Sequence, residues 1–274
     1  MFHTRLGCST ISFRHQVLTD ALATIGSLGF TEIDLGALPG VCDHVPYVLD
    51  AAAVDDVAGA VRTSRLTVRS VNGDVGDLNL PLDPAGRAAR DEHLDRLLSL
   101  TAAVGATALV LPCGALEHAP VRSLDDDLAL VAAELDRAAG RAKAHGVQVW
   151  TESLHFFRLC WNIERTQQLS DLLDTTDVGV VMDFSHIVAS GGDPADFVGR
   201  FGPRIAHVHI RDAEPGNIHL SVGKGRVDFA AGLKALAGAG YAGHFALELE
   251  TRDITHDERP AAAASAARLI SDLV

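Results

Sequence analysis

The sequence has little of what marks a nucleic-acid-binding or membrane protein. Its 23 Lys and Arg are outnumbered by 36 Asp and Glu, a formal net charge of -13, and the only lysines are Lys143, Lys224 and Lys234. Duplex affinity rests on Lys and Arg neutralising phosphates, so a nucleic-acid partner is disfavoured. Aromatic residues make up 5%, too few for the stacking platforms that hold single strands. No apolar run approaches the ~20 residues of a membrane span. Met1 to Ser9 contains no apolar stretch, so no secretory signal is expected there. The four cysteines, Cys8, Cys42, Cys113 and Cys160, have no CxxC spacing. Scattered thiols fit a reducing compartment better than a disulfide framework or a zinc knuckle, and the expected location is the cytoplasm.

What is present is ordinary globular material: 274 residues, 47% hydrophobic and 22% charged. The length suits either two domains of ~150 residues or one α/β barrel of ~250. Short β-rich runs alternate with longer Ala/Leu-rich amphipathic stretches. Strands are expected at Arg5 to Thr10, Glu32 to Leu35, Leu66 to Val71, Ala108 to Pro112, Val147 to Thr151, Val178 to Met182, Ile205 to Ile210 and Phe245 to Leu249. Helices are expected between them at Thr19 to Leu28, Asp50 to Ser64, Ala85 to Val104, Leu124 to His145, Glu164 to Leu173, Pro194 to Phe201 and Phe229 to Gly238. A last helix is expected at Arg259 to Leu273. Gly29, Gly105, Gly146 and Gly240 stand near helix ends, where left-handed backbone is needed. Eight alternations point to an α/β fold, a single (β/α)8 TIM barrel. A doubly wound open sheet is the alternative, but Gly7-Cys8-Ser9-Thr10 after the first strand is no GxGxxG. No linker, repeat or low-complexity tract divides residues 1–274, so one barrel domain is expected throughout.

In such a barrel the chemistry lies at the C-terminal ends of the strands. Four ionisable groups fall there on successive strands: Glu152 ends Val-Gln-Val-Trp-Thr-Glu, Asp183 ends Val-Gly-Val-Val-Met-Asp, His209 ends Ile-Ala-His-Val-His, and Glu248 ends Phe-Ala-Leu-Glu. Three carboxylates and an imidazole suit Mn, Mg, Co, Fe or Zn in an open site. Without a cation, three clustered acids would repel one another and keep at least one protonated. Taken singly, each has a plainer reading. Asp183, followed by Phe-Ser-His, also fits a helix N-cap. His207 lies one layer below His209 and reads as a core histidine, and Glu250, on the face of Glu248, as an arginine partner. The coincidence of four such groups on four strands favours a divalent-metal site.

These residues resemble the xylose-isomerase-like barrel superfamily of sugar and sugar-phosphate isomerases and epimerases. The matching stretches are Thr-Glu-Ser at 151–153, Met-Asp-Phe-Ser-His at 182–186 and His-Val-His-Ile-Arg-Asp at 207–212. Val-Gly-Lys-Gly-Arg-Val-Asp-Phe at 222–229, Gly-Tyr-Ala-Gly-His-Phe-Ala-Leu-Glu at 240–248, the opening Leu-Gly-Cys-Ser-Thr and Leu-Gly-Phe-Thr-Glu-Ile-Asp-Leu at 28–35 also fit. Order and spacing are specific for the superfamily, not for a substrate. The resemblance implies that Glu152, Asp183, His209 and Glu248 bind one divalent metal. It also implies that Glu152 and Glu248 face each other across the substrate and exchange protons with a carbon beside a carbonyl. Metal coordination of the carbonyl and its neighbouring hydroxyl would stabilise the enediolate, and two opposed carboxylates would remove and return the proton. His186, by analogy in the loop after the sixth strand, would stand near a substrate hydroxyl.

One departure narrows the resemblance. The ketose 3-epimerase branch carries a second carboxylate six residues after the fifth-strand glutamate, and here that place holds Arg158. Arg158 either grips a substrate phosphate or carboxylate as a fork or pairs with a neighbouring acid. The segment Arg158-Leu-Cys-Trp-Asn162 is closer to the inosose-isomerase and hydroxypyruvate-isomerase side, and Cys160 within it reads as a buried thiol. The three-zinc endonuclease branch needs further histidines and glutamates that have no place here. The expected function is therefore a metal-dependent isomerase or epimerase of a small carbohydrate-like molecule. A dehydratase of an inosose or dehydroshikimate-like compound on the same site is the alternative, and a non-catalytic metal-holding barrel ranks third. Association into a homo-oligomer is compatible with the family, with no interface marked in the sequence.

Overall fold

Each of the eight apolar runs becomes a strand in the computed structural model, which describes residues 1–173 and 177–274. The strands are β1 (Leu6–Ser9), β2 (Glu32–Ala37), β3 (Thr67–Gly73), β4 (Ala108–Pro112), β5 (Gln148–Glu152), β6 (Gly179–Asp183) and β7 (Ile205–Ile210). A short hairpin of β8 (Asp212–Glu214) and β9 (Asn217–Leu220) follows, then β10 (Phe245–Leu247). Apart from the hairpin they pair in parallel and close in the order β1-β10-β7-β6-β5-β4-β3-β2, a single (β/α)8 TIM barrel.

The helices lie between strands: α1 (Leu18–Ser27), α2 (Ala51–Ser64), α3 (Pro84–Ala103), α4 (Leu124–Ala142), α5 (Ile163–Leu172), α6 (Phe184–Ala189), α7 (Pro194–Phe201), α8 (Phe229–Gly238) and α9 (Arg259–Ser271). Their starts are written in side chains. Asp50, Asp83, Ser123, Asn162, Asp193 and Asp228 each accept a hydrogen bond from the backbone N–H three residues on, satisfying a donor the helix itself cannot. Gly146, at φ 69°, takes the left-handed turn after α4 and its 3-10 extension, which frees the chain to enter β5.

Period-2 geometry sorts the strand residues into two shells. Leu109, Leu111, Val149, Met182, Val208 and Ile210 face outward into the main apolar core under the helices. On α4 the same core takes Leu128, Val131, Leu135 and Ala138. Full burial of one such Leu or Val is worth about 1.5–3 kcal/mol. Ala108, Val110, Trp150 and Val181 form a separate cluster that plugs the barrel interior. Alternation therefore stacks Glu152 above Trp150, Asp183 above Val181 and His209 above His207, all on the inner face.

Three local expectations change. The segment after β6, expected as a loop, is the helix α6, so His186 sits on a helix. It forms because Asp183 caps it, accepting from the Ser185 and His186 backbone N–H groups. Glu248 lies one residue beyond the end of β10. The β8–β9 hairpin falls where no element was expected. It is tied down by Asp212, whose carboxylate accepts the N–H groups of Gly223, Gly225 and Val227. A Cβ at Gly225 would stand 2.3 Å from Asp212 Oδ1 and 2.4 Å from the Ala213 carbonyl oxygen, so this close approach requires glycine. Among the described residues no helix is long and apolar enough to cross a membrane.

Candidate metal centre

The strand-end groups converge. One ligand atom from each of Glu152, Asp183, His209 and Glu248 lies within 4.8 Å of the others. The stagger of the barrel accounts for this, since Asp183 is level with His209 whereas Glu152 is level with Val181. His209 is the hub. Its Nδ1 is 3.0 Å from Glu152 Oε1 and 3.4 Å from Glu248 Oε2.

Each carboxylate is anchored by neighbours on the protein side. Asp183 Oδ1 accepts from the Ser185 N–H and hydroxyl, both at 2.6 Å, and from the His186 N–H at 3.1 Å. Asp183 is thus both helix cap and cluster member, and its Oδ2 meets Arg211 Nη2 at 3.4 Å. Glu248 Oε1 accepts from Asn72 Nδ2 at 3.1 Å. Glu152 Oε2 faces His155 Nε2 at 3.8 Å.

The electrostatics follow from placing these charges together away from water. Burial, reinforced by the charges of Glu248 and Asp183, pushes the Glu152 carboxyl up to about 7, against the opposing hydrogen bond of His209. Burial works against a charge on His209, yet Glu248, Asp34 and Glu152 together hold its proton well above the usual histidine range. A field that attracts a proton so strongly attracts a divalent cation too. Three carboxylates and one imidazole are hard and borderline donors of the kind Mn, Mg, Co, Fe and Zn take, so the residues present fit such an ion.

The two further site residues expected from sequence line the same cavity, of about 280 Å³. His186 accepts the Phe156 N–H at Nδ1 (3.1 Å) and has Arg211 Nη2 3.2 Å from Nε2. Burial and the neighbouring Arg211 charge hold it neutral, well below the usual histidine range. Arg158 straps three strand ends together: it donates to the Gly114 carbonyl at 2.8 Å and to Asp74 Oδ2 at 3.1 Å. Glu250 pairs with Arg14 and Arg211, His207 is a core histidine against Trp150 and Asp34, and Cys160 is a buried free thiol.

Arg211, Asp34 and Asn72 escaped the sequence reading. Arg211, fully buried, reaches Asp183, Glu250 and Ser185 at once. Asp34 stands under His209, with Oδ2 3.3 Å from His209 Nε2 and 2.7 Å from His207 Nε2. Burial disfavours its charge, but the charge and hydrogen bond of His207 and the close approach of His209 hold it below the usual carboxylate range. A signal for Asp34 was present: Glu32-Ile33-Asp34-Leu35 puts two acids on one face of a strand whose other face is apolar.

A larger hollow of about 660 Å³ lies at the opposite end of the strands, near Lys143, Trp150, Asp177 and Arg204. It is lined by strand starts, whereas chemistry in these barrels is found at the C-terminal mouth.

A closed parallel barrel with acids and an imidazole converging at its mouth is a (β/α)8 barrel with a cation-type site. The chain belongs to the xylose isomerase-like TIM barrel family, whose model matches residues 22–273. It is 28% identical over 147 residues to an inosose dehydratase of Lacticaseibacillus casei, covering 46% of this chain and 48% of that one. It spans less than half the length of the curated relatives it matches first. Among solved structures it resembles the 3-keto-D-glucoside 4-epimerase YcjR from E. coli, with TM-score 0.76, 20% identity and coverage of 97% of this chain and 99% of that one. It also resembles the IOLI protein with a bound zinc atom, with TM-score 0.80, 18% identity and coverage of 98% and 99%. At these identities the likeness is one of fold.

Proposed function

We propose that the chain is a divalent-metal-dependent isomerase or epimerase of a sugar, inosose or related hydroxy-carbonyl compound. Glu152, Asp183, His209 and Glu248 would hold the ion, and a divalent cation there supplies Lewis acidity for a carbonyl and its neighbouring hydroxyl. The observation that carries the reading is the placement of Glu152 and Glu248 against one imidazole nitrogen, 3.0 and 3.4 Å away. Two carboxylates so placed, from β5 and from the end of β10, can remove a proton beside the carbonyl and return it from the other side or to the next carbon.

The other residues would bind and orient. The cavity of about 280 Å³ is just below the ~300–1,000 Å³ found for small-molecule sites, which favours a single sugar-sized molecule over a polymer. His186 would meet a substrate hydroxyl, and Arg158 would receive an oxygen-rich or anionic end of the substrate. A lyase on the same residues is the second reading, favoured by the similarity to inosose dehydratase; the abstracted proton would then be followed by loss of a β-hydroxyl as water.

The test is incubation of Mn2+- or Co2+-supplied protein in deuterated water with a panel of ketoses, inososes and their phosphates. Deuterium entering beside the carbonyl without loss of water supports the isomerase or epimerase. Loss of water from the product mass supports the lyase. A panel that shows neither, with the protein bound to metal, overturns both.

A further inference from the structure

We propose that Asp34 is a positioning residue of the metal centre, holding His209 by Nε2 so that Nδ1 is the nitrogen offered to the ion. The inference rests on the metal-centre reading above and adds a residue to it from β2, on which no metal ligand was placed.

Asp34 is fully buried on the inner face of β2. Its Oδ2 lies 2.7 Å from His207 Nε2 and 3.3 Å from His209 Nε2, while Oδ1 has no hydrogen-bond partner. The contrast with the other inward acid of β2 is informative. Glu32 is answered by Arg69 at 2.9 Å and by His244 at 2.8 Å, a conventional charge pairing. Among the described residues the ion pairs of Asp34 are with the two imidazoles alone. A buried carboxylate with one oxygen unanswered is costly, so Asp34 is a poor device for stability alone.

The chemistry of imidazole supplies the role. His209 Nδ1 faces the carboxylates of Glu152 and Glu248, so Nδ1 is the atom that must give up its proton to bind an ion. The proton that remains then sits on Nε2, which is buried, makes no aligned hydrogen bond in this structure and has the Asp34 Oδ2 carboxylate oxygen 3.3 Å away to receive it once the ring settles on an ion. A carboxylate behind a ligating histidine fixes the tautomer, fixes the ring plane and raises the donor strength of the other nitrogen. His207 keeps Asp34 in place: its Nε2 holds the shared oxygen, and its own ring packs on Trp150 with centroids 5.5 Å apart.

The experiment is Co2+ binding, followed by visible absorbance, in wild type and in Asp34→Asn. The asparagine keeps the shape but removes the charge and presents an NH2 where one imidazole needs an acceptor. The expected result is about a 10–100-fold weaker Co2+ affinity with a wild-type circular-dichroism spectrum. A variant that is less stable yet binds Co2+ as tightly as wild type overturns the assignment and leaves Asp34 as a structural partner of His207. Nitrogen-15 spectra of the Zn2+-loaded wild-type protein keep the test independent of the variant's folding. They should show His209 with a proton on Nε2 and none on Nδ1; the reverse pattern overturns the assignment. Wild-type protein that binds no Co2+ removes the metal-centre reading and this inference with it. Equal binding by both proteins removes only the inference.

Discussion

Arg211 Nη2 lies 3.4 Å from Asp183 Oδ2 with both side chains sealed from solvent. The same guanidinium reaches Glu250 Oε2 at 3.0 Å and the Ser185 hydroxyl at 2.9 Å, so one cation joins the end of β6, the start of α6 and the segment after β10. Burial opposes the charge, but Asp183 and Glu250 more than offset it, and the guanidinium is held firmly protonated. Removing one partner of a buried pair leaves the other uncompensated. Arg211→Met should therefore destabilise the protein by about 3–5 kcal/mol in urea unfolding. Arg211→Lys should recover only part of the loss, because an ammonium cannot bridge three acceptors as a planar fork does.

Glu152→Gln and Glu248→Gln should each remove turnover while leaving the fold intact. Each glutamine keeps the shape of the side chain and loses the group that carries the proton, and general acid–base groups contribute about 10²–10⁴-fold. Asn72 gives this prediction a control. It donates to Glu248 Oε1 at 3.1 Å, so Asn72→Ala should lower turnover less than Glu248→Gln, by loosening the carboxylate without removing it. Full activity in Glu248→Gln would sink the role given to that residue.

Arg158 already makes two hydrogen bonds within the protein, to the Gly114 carbonyl and to Asp74, and still borders the cavity. Arg158→Met is expected to raise KM with little change in kcat, the pattern of an interaction made equally in ground and transition states. If Arg158 only straps the loops together, the variant will lose stability while KM stays unchanged.

All four cysteines are free and buried. Burial pushes the thiols of Cys8 and Cys42 up to about 12, and it is the thiolate that reacts. Cys8 and Cys42 of the native protein should therefore show no fast reaction with a thiol-specific disulfide reagent at pH 8, and all four cysteines should react in urea. Prompt labelling of Cys8 or Cys42 in the native state would contradict the packing around β1 and the backbone pairing of Leu38 with Cys42 that buries the second thiol.

Most of the barrel and the convergence of four candidate site residues at its mouth could be read from sequence because both depend on local pattern. An apolar run of four to six residues that stops at a charge delivers that charge to the mouth, as with Glu152, Asp183 and His209. The residues that escaped depend on distance through space. Arg211 follows His209 by two positions, but its weight comes from Asp183 and Glu250, 28 and 39 residues away along the chain. Asp34 matters because the barrel closes and brings β2 under β7, 173 residues apart. The helix α6, six residues long, is too short to establish a 3.6-residue period. The β8–β9 hairpin rests on one carboxylate reaching N–H groups more than ten residues ahead.

The last prediction concerns pH in metal-free protein. Glu152 binds its proton more tightly folded than unfolded, with its value moved from 4.5 to about 7, and His209 is likewise raised above its usual 6.5. Between the unfolded and folded values the native state holds more protons than the unfolded state, so stability falls as pH rises. For Glu152 the contribution is fully present below pH 4.5 and is lost as pH climbs through about 7. In a chelator, urea unfolding at pH 5 and pH 7 should show this loss in wild type and a smaller one in Glu152→Gln, which has no proton to release. A divalent cation should reverse the trend. It replaces the proton as the counter-charge, its affinity should rise over the same pH window, and at a hundredfold excess over Kd it should add about 2.7 kcal/mol. A cation that stabilises equally at pH 5 and pH 7 would mean that it binds somewhere other than Glu152 and His209.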